Sequence, residues 1–283
     1  MTTKTYKKVP HCKHDVQTWA LFGDMHVGSP AGLTTDPETA VQKRLLEAFI
    51  EYREWFGPQP DVVCINGDTV HGHDKRTGDV DKRWMFDQAT IAAELLVKYW
   101  APKKEFVLTS GTDYHTSCEG EEYEYHVKAQ LEKLLAWEGH KNVKVTYRRK
   151  LKTTINDWFL LECRHKIGSS CVPYGRKTSP ERYKIWQVIN AALASARKGK
   201  PAKWPNLCVF SHVHYYGKSE DAYGAVVTLP AWQALGGRFG DKECDGHVDI
   251  GGAKLVVGPT RTDDWEWHIK LFPAAMVERT EHR

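Results

Sequence analysis

Residues 18–26 read TWALFGDMH, an apolar run that ends in a glycine, an aspartate and a histidine. A short run of branched and aromatic residues without polar alternation is typical of a strand buried on both faces. Asp24 and His26 stand two residues apart at the end of this run, so a carboxylate and an imidazole can converge on one ion. A D-x-H triplet alone is a weak signal, because it is frequent by chance. Its weight depends on whether other strands end in the same way.

Four more apolar runs follow, and each of them ends at a polar cluster. They predict strands over 61–65, 105–109, 158–163 and 207–210. Strand-like stretches in the last third of the chain cover 224–228, 253–257 and 265–271. The chain therefore contains enough buried-strand patterns for a large sheet or for two sheets.

Helical patterns, with apolar residues every three or four positions, separate these strands. The first is expected to begin at Asp36 as N-cap with Pro37 in the first helical position. The others are expected over 85–100, over 120–137 and from Ser179-Pro180 onward. In the last helix the apolar positions are Ile185, Ile189, Leu193 and Ala196. Strands that alternate with helices predict an α/β fold with sheets inside and helices outside.

Composition limits the class of protein. The chain has 283 residues, of which 41% are hydrophobic and 27% charged, so we expect one domain over 1–283 with a polar N-terminal extension (1–16) and a polar tail (274–283). Forty basic and 36 acidic residues leave a net charge of +4, too little for binding nucleic acid by bulk charge. Seven scattered cysteines without a C-x-x-C pair indicate reduced thiols in the cytoplasm. No stretch approaches a membrane span, so no membrane partner is expected.

Carboxylates and imidazoles follow four of the predicted strands. The second strand leads into NGDTVH (66–71), the fourth into Arg164-His165 and the fifth into SHVH (211–214). In open α/β sheets ligands bind at the carboxyl ends of strands. The recurring side chains are Asp24, His26, Asp68, His165, His212 and His214. Mixed nitrogen and oxygen ligands suit Mn²⁺, Fe, Zn²⁺ or Ni²⁺ without selecting among them.

This ordered set resembles the calcineurin-like metallophosphoesterases, whose motifs are D-x-H, G-D-x-x-[D/H], G-N-H-[D/E], a lone histidine and G-H-x-H. The match extends over residues 18–216. The resemblance implies a four-layer α-β-β-α sandwich of two mixed sheets flanked by helices, with two divalent metal ions at its rim, manganese first and iron, zinc or nickel as alternatives. It also implies a ligand distribution: one ion bound by Asp24, His26 and His214, the other by His165 and His212, and Asp68 as the bridge.

The third motif departs from the family pattern. Residues 110–115 read SGTDYH, so Thr112 stands where the family has an asparagine that binds the second metal. Asp113 or a water is expected to replace that ligand. His115, two residues later than usual, is expected to stabilise charge on the phosphate or the leaving group. Phage and bacterial members with a G-T-x-x-H version are similar to this one.

Three further residues are candidates for contact with the substrate. His71 completes a G-D-x-x-H form that resembles the Mre11-type nucleases, in which this histidine orients the phosphate; the alternative is a surface residue. Tyr174 and Arg176 lie in the loop after His165 and are available for base stacking and phosphate contact, or belong to a solvated basic loop.

The sequence as a whole therefore predicts a metal-dependent hydrolase of phosphate esters. His71 favours a phosphodiesterase or nuclease that acts on nucleotides or nucleic acid. A phosphomonoesterase, including a protein phosphatase, is the enzyme alternative, although the phosphatase strings G-D-x-V-D-R-G and G-N-H-E are absent. A binding scaffold that keeps the fold with little turnover is the alternative from another class.

Overall fold

The fold is known from a computed structural model that describes residues 15–72, 84–118, 121–168, 170, 172–235 and 248–273. Its strands are numbered in chain order. They are β1 (Gln17–Phe22), β2 (Val62–Ile65), β3 (Glu105–Thr109), β4 (Ser117–Cys118), β5 (Glu121–Glu122), β6 (Lys144–Arg148), β7 (Leu151–Ile155), β8 (Phe159–Arg164), β9 (Leu207–Phe210), β10 (Gly217–Asp221), β11 (Gly224–Thr228), β12 (Ile250–Val257) and β13 (Trp265–Phe272). The five apolar runs of the sequence are β1, β2, β3, β8 and β9.

Two mixed sheets contain all of these strands except the short β4–β5 ribbon. Sheet 1 has the order β13-β12-β1-β2-β3-β6. Its strands β1, β2, β3 and β6 are parallel to one another, β12 is antiparallel to β1, and β13 is antiparallel to β12. Sheet 2 has the order β10-β11-β9-β8-β7, with a parallel centre formed by β11, β9 and β8. The parallel strands of each sheet deliver their carboxyl ends to one edge.

Five α-helices lie within the described residues. They are α1 (Ala40–Phe56), α2 (Met85–Trp100), α3 (Asp113–Thr116), α4 (Tyr123–Trp137) and α5 (Thr178–Lys198). The predicted start of the first helix at Asp36 and Pro37 is wrong. Thr39 caps α1 instead, because its hydroxyl accepts from the Gln42 amide at 3.1 Å while the Gln42 side chain accepts from the Thr39 amide at 3.2 Å. This reciprocal capping box satisfies two amides at once, which a proline at the first position does not do.

The layers follow from which faces are buried. One face of sheet 1 packs with α1, α2 and α4 around Phe22, Phe49 and Trp100. The opposite face meets sheet 2 in a dry layer that includes Leu21 and Leu161. The outer face of sheet 2 is covered by α5, with the Tyr183 ring edge-on to Phe210. The predicted α/β class and the four-layer α-β-β-α order are confirmed.

Helix α5 is turned differently from the prediction. The apolar positions Ile185, Ile189 and Leu193 are exposed, and the buried residues of this helix are Pro180 and Lys184. The Lys184 ammonium lies 2.9 Å from an Asp221 carboxylate oxygen and donates to the Gly224 carbonyl oxygen at 3.3 Å. These contacts to β10 and to the first residue of β11 compensate the buried charge. They keep the apolar stripe on the outside.

Most of the predicted N-terminal extension (1–16) and the predicted tail (274–283) lie outside the described residues. Three free cysteines among the described residues, Cys64, Cys163 and Cys208, are buried in the strands. Of the described helices, none has both the length and the apolar character needed to cross a membrane.

Candidate metal centre

The candidate site lies where the parallel strands of both sheets end. In sheet 1, β1 and β2 pair in register, and Asp24 and Asp68 follow them. In sheet 2, β8 and β9 pair in register and are followed by His165 and by the histidines of 211–214. Asn66 joins the two sheets, because its amide nitrogen donates to the Ser211 hydroxyl at 2.9 Å and to the Arg164 carbonyl oxygen at 3.0 Å.

Five of the six predicted ligands have left-handed backbone conformations. The φ angles are 51° at Asp24, 44° at His26, 47° at Asp68, 73° at His212 and 54° at His214. Positive φ at a residue other than glycine costs energy and is concentrated at functional sites. In this chain it turns consecutive ligand side chains toward the same point just beyond the strand ends.

The six side chains form two groups of three, and within each group the potential ligand atoms lie within 4.8 Å of one another. The first group is Asp24, His26 and His214, and the second group is Asp68, His165 and His212. Both aspartates contact both groups. Asp68 Oδ2 is 2.9 Å from His165 Nε2 and 3.9 Å from His26 Nε2, and Asp24 Oδ1 is 3.3 Å from His214 Nε2 and 3.8 Å from His165 Nε2.

The donor set fits divalent transition metals. Nitrogen and oxygen ligands about 2.1 Å from one ion lie about 3.0–3.9 Å apart for bond angles between 90° and 135°. Four of the five aspartate–histidine contacts in the two groups, at 3.3–3.9 Å, fall in that range, and the fifth, between Asp68 and His165, is 2.9 Å. Two buried polar atoms, Asp24 Oδ1 and His26 Nε2, make no hydrogen bond within the part of the chain that the structure describes. Buried polar atoms are normally satisfied, so this pair points to a missing electrophile. The residues that would hold metal are therefore those of the first and second groups.

Charge is distributed unevenly over the centre. Burial alone would raise the pKa of Asp24, but the imidazoles of His214 and His165 hold it well below its usual value. Burial would also raise the pKa of Asp68, but His165 and His115 lower it. Burial opposes the proton on His165, yet Asp68 and Asp24 raise its pKa to about 9. Two buried carboxylates thus hold a proton on His165 in the position where a metal cation would neutralise them.

Two other histidines of the candidate set have lowered pKa values and are therefore neutral. Burial and the neighbouring His115 lower the pKa of His26 to about 3, and burial together with His165 lowers the pKa of His212 to about 4. Neutral imidazole has the free electron pair that a metal needs. His165 is oriented as well: its Nδ1 donates to the Asn66 carbonyl oxygen at 2.7 Å, which directs Nε2 toward Asp68.

Thr112 has a role that the sequence did not indicate. Its amide donates to Asp68 Oδ1 at 2.7 Å, and its hydroxyl lies 3.2 Å from Oδ1 and 3.1 Å from Oδ2 of the same carboxylate. Thr112 therefore orients Asp68. Asp113, the predicted substitute ligand, is exposed and belongs to neither group.

His71 and His115 lie beside the first group and are buried. With His26 they form a third set of mutually close ligand atoms. His115 Nδ1 donates to the His71 carbonyl oxygen at 2.7 Å, and His71 Nδ1 is 3.4 Å from His26 Nδ1. The alternative that His71 is a surface residue is therefore wrong. The ring centroid of His115 lies 4.6 Å from that of His26, so both histidines contact a member of the first group.

Glu124 is a buried acid behind the centre that sequence reasoning missed. One of its oxygens accepts from the Thr69 amide at 2.9 Å, next to Asp68 in the chain. Burial raises the pKa of Glu124 to about 7, although its hydrogen bonds to Thr69 lower it. Glu124 stands three, seven and eleven residues before the buried Val127, Leu131 and Leu135, so the helical period already places it on the apolar face of α4.

We expect Glu124→Gln to change how stability depends on pH in the metal-free protein. Since the native carboxyl holds its proton up to about pH 7 and an unfolded glutamate loses it near 4.5, the native state binds more protons in between, and stability falls as pH rises through this interval. The fall that Glu124 contributes is on the order of 3 kcal/mol. Urea unfolding at several pH values should show it in the native sequence and not in the variant. Glu132→Gln on the exposed face of the same helix is the control, and equal slopes in all three proteins would contradict the prediction.

The loop after His165 returns to the centre at Arg176. The Arg176 guanidinium lies 4.6 Å from the ring centroid of Tyr215, which directly follows His214. Arg176 Nε is buried and makes no hydrogen bond to any described residue. Tyr174, two residues earlier, is 89% exposed. Arg176 therefore lies against the residue that follows His214, whereas Tyr174 projects into solvent.

No model of a protein family matches the chain, and no curated protein does. Solved structures resemble it over most of its length. A predicted phosphoesterase from Streptococcus pneumoniae is 11% identical, with 93% of this chain and 92% of that chain covered and a TM-score of 0.38. An archaeal phosphodiesterase is 9% identical, with 90% and 100% covered and a TM-score of 0.42. Vacuolar Protein Sorting 29 from Cryptosporidium parvum is 12% identical, with 92% and 99% covered and a TM-score of 0.44.

Proposed function

We propose that this protein is a dinuclear-metal-dependent phosphoesterase, and that it acts as a phosphodiesterase on nucleotides or nucleic acid. The observation that carries the proposal is the convergence of two three-residue groups, built from both sheets, on one buried point. Two carboxylates and four imidazoles serve no packing purpose there, and their left-handed backbones cost energy.

The proposal gives each group a role. Asp24, His26 and His214 would hold one divalent ion, His165 and His212 the other, and Asp68 would bridge them. Bound divalent ions supply an activated water and a positive charge for the phosphate oxygens. Manganese is the first candidate, and iron, zinc and nickel fit the same donors.

The residues of the chain would divide the remaining work. Thr112 holds the Asp68 carboxylate in one orientation through two donors. His115, whose Nδ1 donates to the His71 carbonyl oxygen, would act on the phosphate or on the departing oxygen. His71 would orient the phosphate from the same side.

Arg176 supports a diester over a monoester. A guanidinium that is held against Tyr215 and makes no ion pair with a described residue is suited to a second anionic group of the substrate. Tyr174 beside it offers an exposed ring for stacking on a base. A substrate with groups on both sides of phosphorus would use both residues. Reduced cysteines agree with a cytoplasmic location for such an enzyme.

The test is turnover of bis-p-nitrophenyl phosphate and of p-nitrophenyl phosphate after chelation and readdition of Mn²⁺. We expect metal-dependent hydrolysis with preference for the diester. Preference for the monoester would identify a phosphomonoesterase instead. Metal binding without turnover of either substrate would leave the binding-scaffold alternative.

We expect His71→Ala to separate the substrate classes further. Loss of one positioning hydrogen bond to a charged phosphate costs about 1.5–3 kcal/mol, or roughly ten- to a hundredfold in rate. The loss should fall on the diester, because a monoester dianion is held mainly by the metal ions. Kinetics with both substrates and the metal content of the variant provide the measurement. Equal losses on both substrates together with loss of metal would instead make His71 a positioning residue for His26, whose Nδ1 it faces.

A further inference from the structure

A turn of three basic residues lies beside the candidate centre. Arg148 is the last residue of β6 in sheet 1, and Arg149 and Lys150 lead from it into β7 of sheet 2. All three side chains are exposed. Strand β6 runs parallel to β1, β2 and β3, so this basic turn lies at the edge of sheet 1 where the candidate ligands follow their strands. The net charge of +4 is small for the whole chain, but three cations are consecutive here.

Hydrogen bonds connect the basic turn to Asp68, the candidate bridge. The Ser110 amide donates to the Arg148 carbonyl oxygen at 3.0 Å, and two residues later the Thr112 amide donates to Asp68 Oδ1 at 2.7 Å. In sheet 1, only β3 separates β6 from β2, the strand that Asp68 follows. Neighbouring strands are about 4.8 Å apart, so the ends of β6 and β2 are about 10 Å apart. This distance corresponds to about three nucleotides of a stacked nucleic-acid strand, at about 3.4 Å each.

Strand β8 brings a fourth cation to the basic turn. It is antiparallel to β7 and ends at Arg164, at the same edge at which Lys150 leads into β7. Lys166, two residues further on, is exposed and directly follows the candidate ligand His165. The basic turn and Lys166 therefore lie on the side of the centre that the second group forms.

Neighbouring acids neutralise part of this charge. Glu122 accepts from the Arg149 guanidinium at 3.2 Å, and Asp113 adds one exposed carboxylate to this edge. The other two cations of the turn and Lys166 make no ion pair within the part of the chain that the structure describes. Such a group of cations raises the local concentration of polyanions at a protein surface.

We propose that the basic turn and Lys166 bind the backbone of a polynucleotide, at phosphates that lie beyond the one at the centre. This inference rests on the proposed phosphodiesterase function and narrows its substrate to nucleic-acid polymers, because a mononucleotide or a small diester does not extend to the turn. Phosphate contacts hold and orient a strand without reading its bases. We therefore expect binding that depends on chain length and on salt, without sequence preference.

Two double variants of β6 test the proposal by binding. Arg148→Gln with Lys150→Gln removes two charges after the strand, and the matched control, Lys141→Gln with Lys144→Gln, removes two exposed charges at its start. The probe is a labelled, phosphorothioate-linked oligonucleotide of about twelve nucleotides, and anisotropy is measured with the Mn²⁺-loaded protein. Circular dichroism checks that both variants fold.

The expected loss follows from the salt dependence of phosphate contacts. Each contact to a single strand changes the logarithm of affinity by about 0.7 per tenfold change in salt, which is roughly fivefold between 1 M and 0.1 M. Loss of two contacts should weaken binding roughly twenty-fivefold at 0.1 M salt and reduce the salt slope by about 1.4. The control should bind as the unmodified chain does.

Turnover distinguishes failure of this inference from failure of the proposed function. The ratio of kcat/KM for the unmodified oligonucleotide to that for bis-p-nitrophenyl phosphate should fall by a similar factor in the Arg148 and Lys150 variant and stay constant in the control. An oligonucleotide that does not bind, or equal binding by the two variants, would overturn the inference even if the small diester is hydrolysed. Salt-dependent binding through the turn without turnover of either substrate would instead remove the phosphodiesterase function and leave a nucleic-acid-binding surface.

Discussion

Asp68→Asn should lose at least about a hundredfold in metal-supported turnover. Asp68 contacts both groups of the centre, with Oδ2 2.9 Å from His165 and 3.9 Å from His26. Removing its charge leaves two divalent ions without the shared anion that offsets their repulsion, a larger change than the ten- to a hundredfold cost of altering a residue behind a metal ligand. Turnover of a phosphodiester and elemental analysis of the purified variant measure the effect.

Asp61→Asn is the matched control for Asp68→Asn. Asp61 is also a buried aspartate, and it stands just before β2, whereas Asp68 follows that strand. Asp61 accepts from the amide and hydroxyl of Thr18 and pairs with Lys104, far from the centre. We expect this variant to lose some stability but to keep its metal and its turnover per folded molecule. If Asp68→Asn kept near-normal turnover, Asp68 would not be the bridge.

Two ions per chain should bind at saturating Mn²⁺, and their removal should abolish turnover. The ions would also stabilise the fold, since a ligand at a hundred times its dissociation constant adds about 2.7 kcal/mol. For a chain of this size, that corresponds to roughly 5–10 °C in Tm. Elemental analysis and thermal unfolding before and after chelation measure both effects.

Variants of the second group test whether that group binds one of the two ions. His165→Ala with His212→Ala removes both imidazoles of that group and should leave one ion per chain. His268→Ala, at an exposed histidine of β13 that contacts Glu266, should leave two. One ion or none in the unmodified protein at saturating metal would contradict the two-metal centre.

The strands and the residues that follow them could be predicted because their signals are local. A strand buried on both faces must be apolar throughout, so β2 and β9 stand out in the sequence. Asp68 and His212 follow these strands within three residues. Parallel pairing then brings strand ends together without further information. The roles of the six candidate ligands remain a proposal, although their convergence followed from this rule.

The contacts behind the ligands could not be predicted, because they join positions that are distant in the chain. Thr112 reads as a missing ligand, and only the three-dimensional structure brings its amide to Asp68. Glu124 shares the apolar face of α4 with Val127 and Leu131, but only the structure shows that the Thr69 amide donates to its carboxylate. A motif specifies which residue types are expected at the ligand positions. It contains no information about residues that orient a ligand from elsewhere in the chain.

Helix α5 shows a different limit of pattern reasoning. A period of 3.6 residues identifies which side chains share a face, but not which face meets the core. The face of α5 that meets sheet 2 is the one that carries Lys184, because this lysine pairs with Asp221 on a later strand. Buried lysines are rare, so the sequence favours burial of the apolar positions of α5 over burial of Lys184.

The centre straddles two sheets that have separate hydrogen-bond networks. Asp24 and Asp68 come from one sheet and His165 and His214 from the other, and the layer between the sheets is held by apolar packing, with Asn66 as a polar tie at the rim. A metal ion bound by residues of both sheets would link the two sheets across this apolar layer, which is the seam between them. Its affinity would then report how closely the sheets dock. A side chain deep in the seam, such as Leu161, would influence metal binding without approaching the ion, because sliding of one sheet past the other changes every distance in the centre at once.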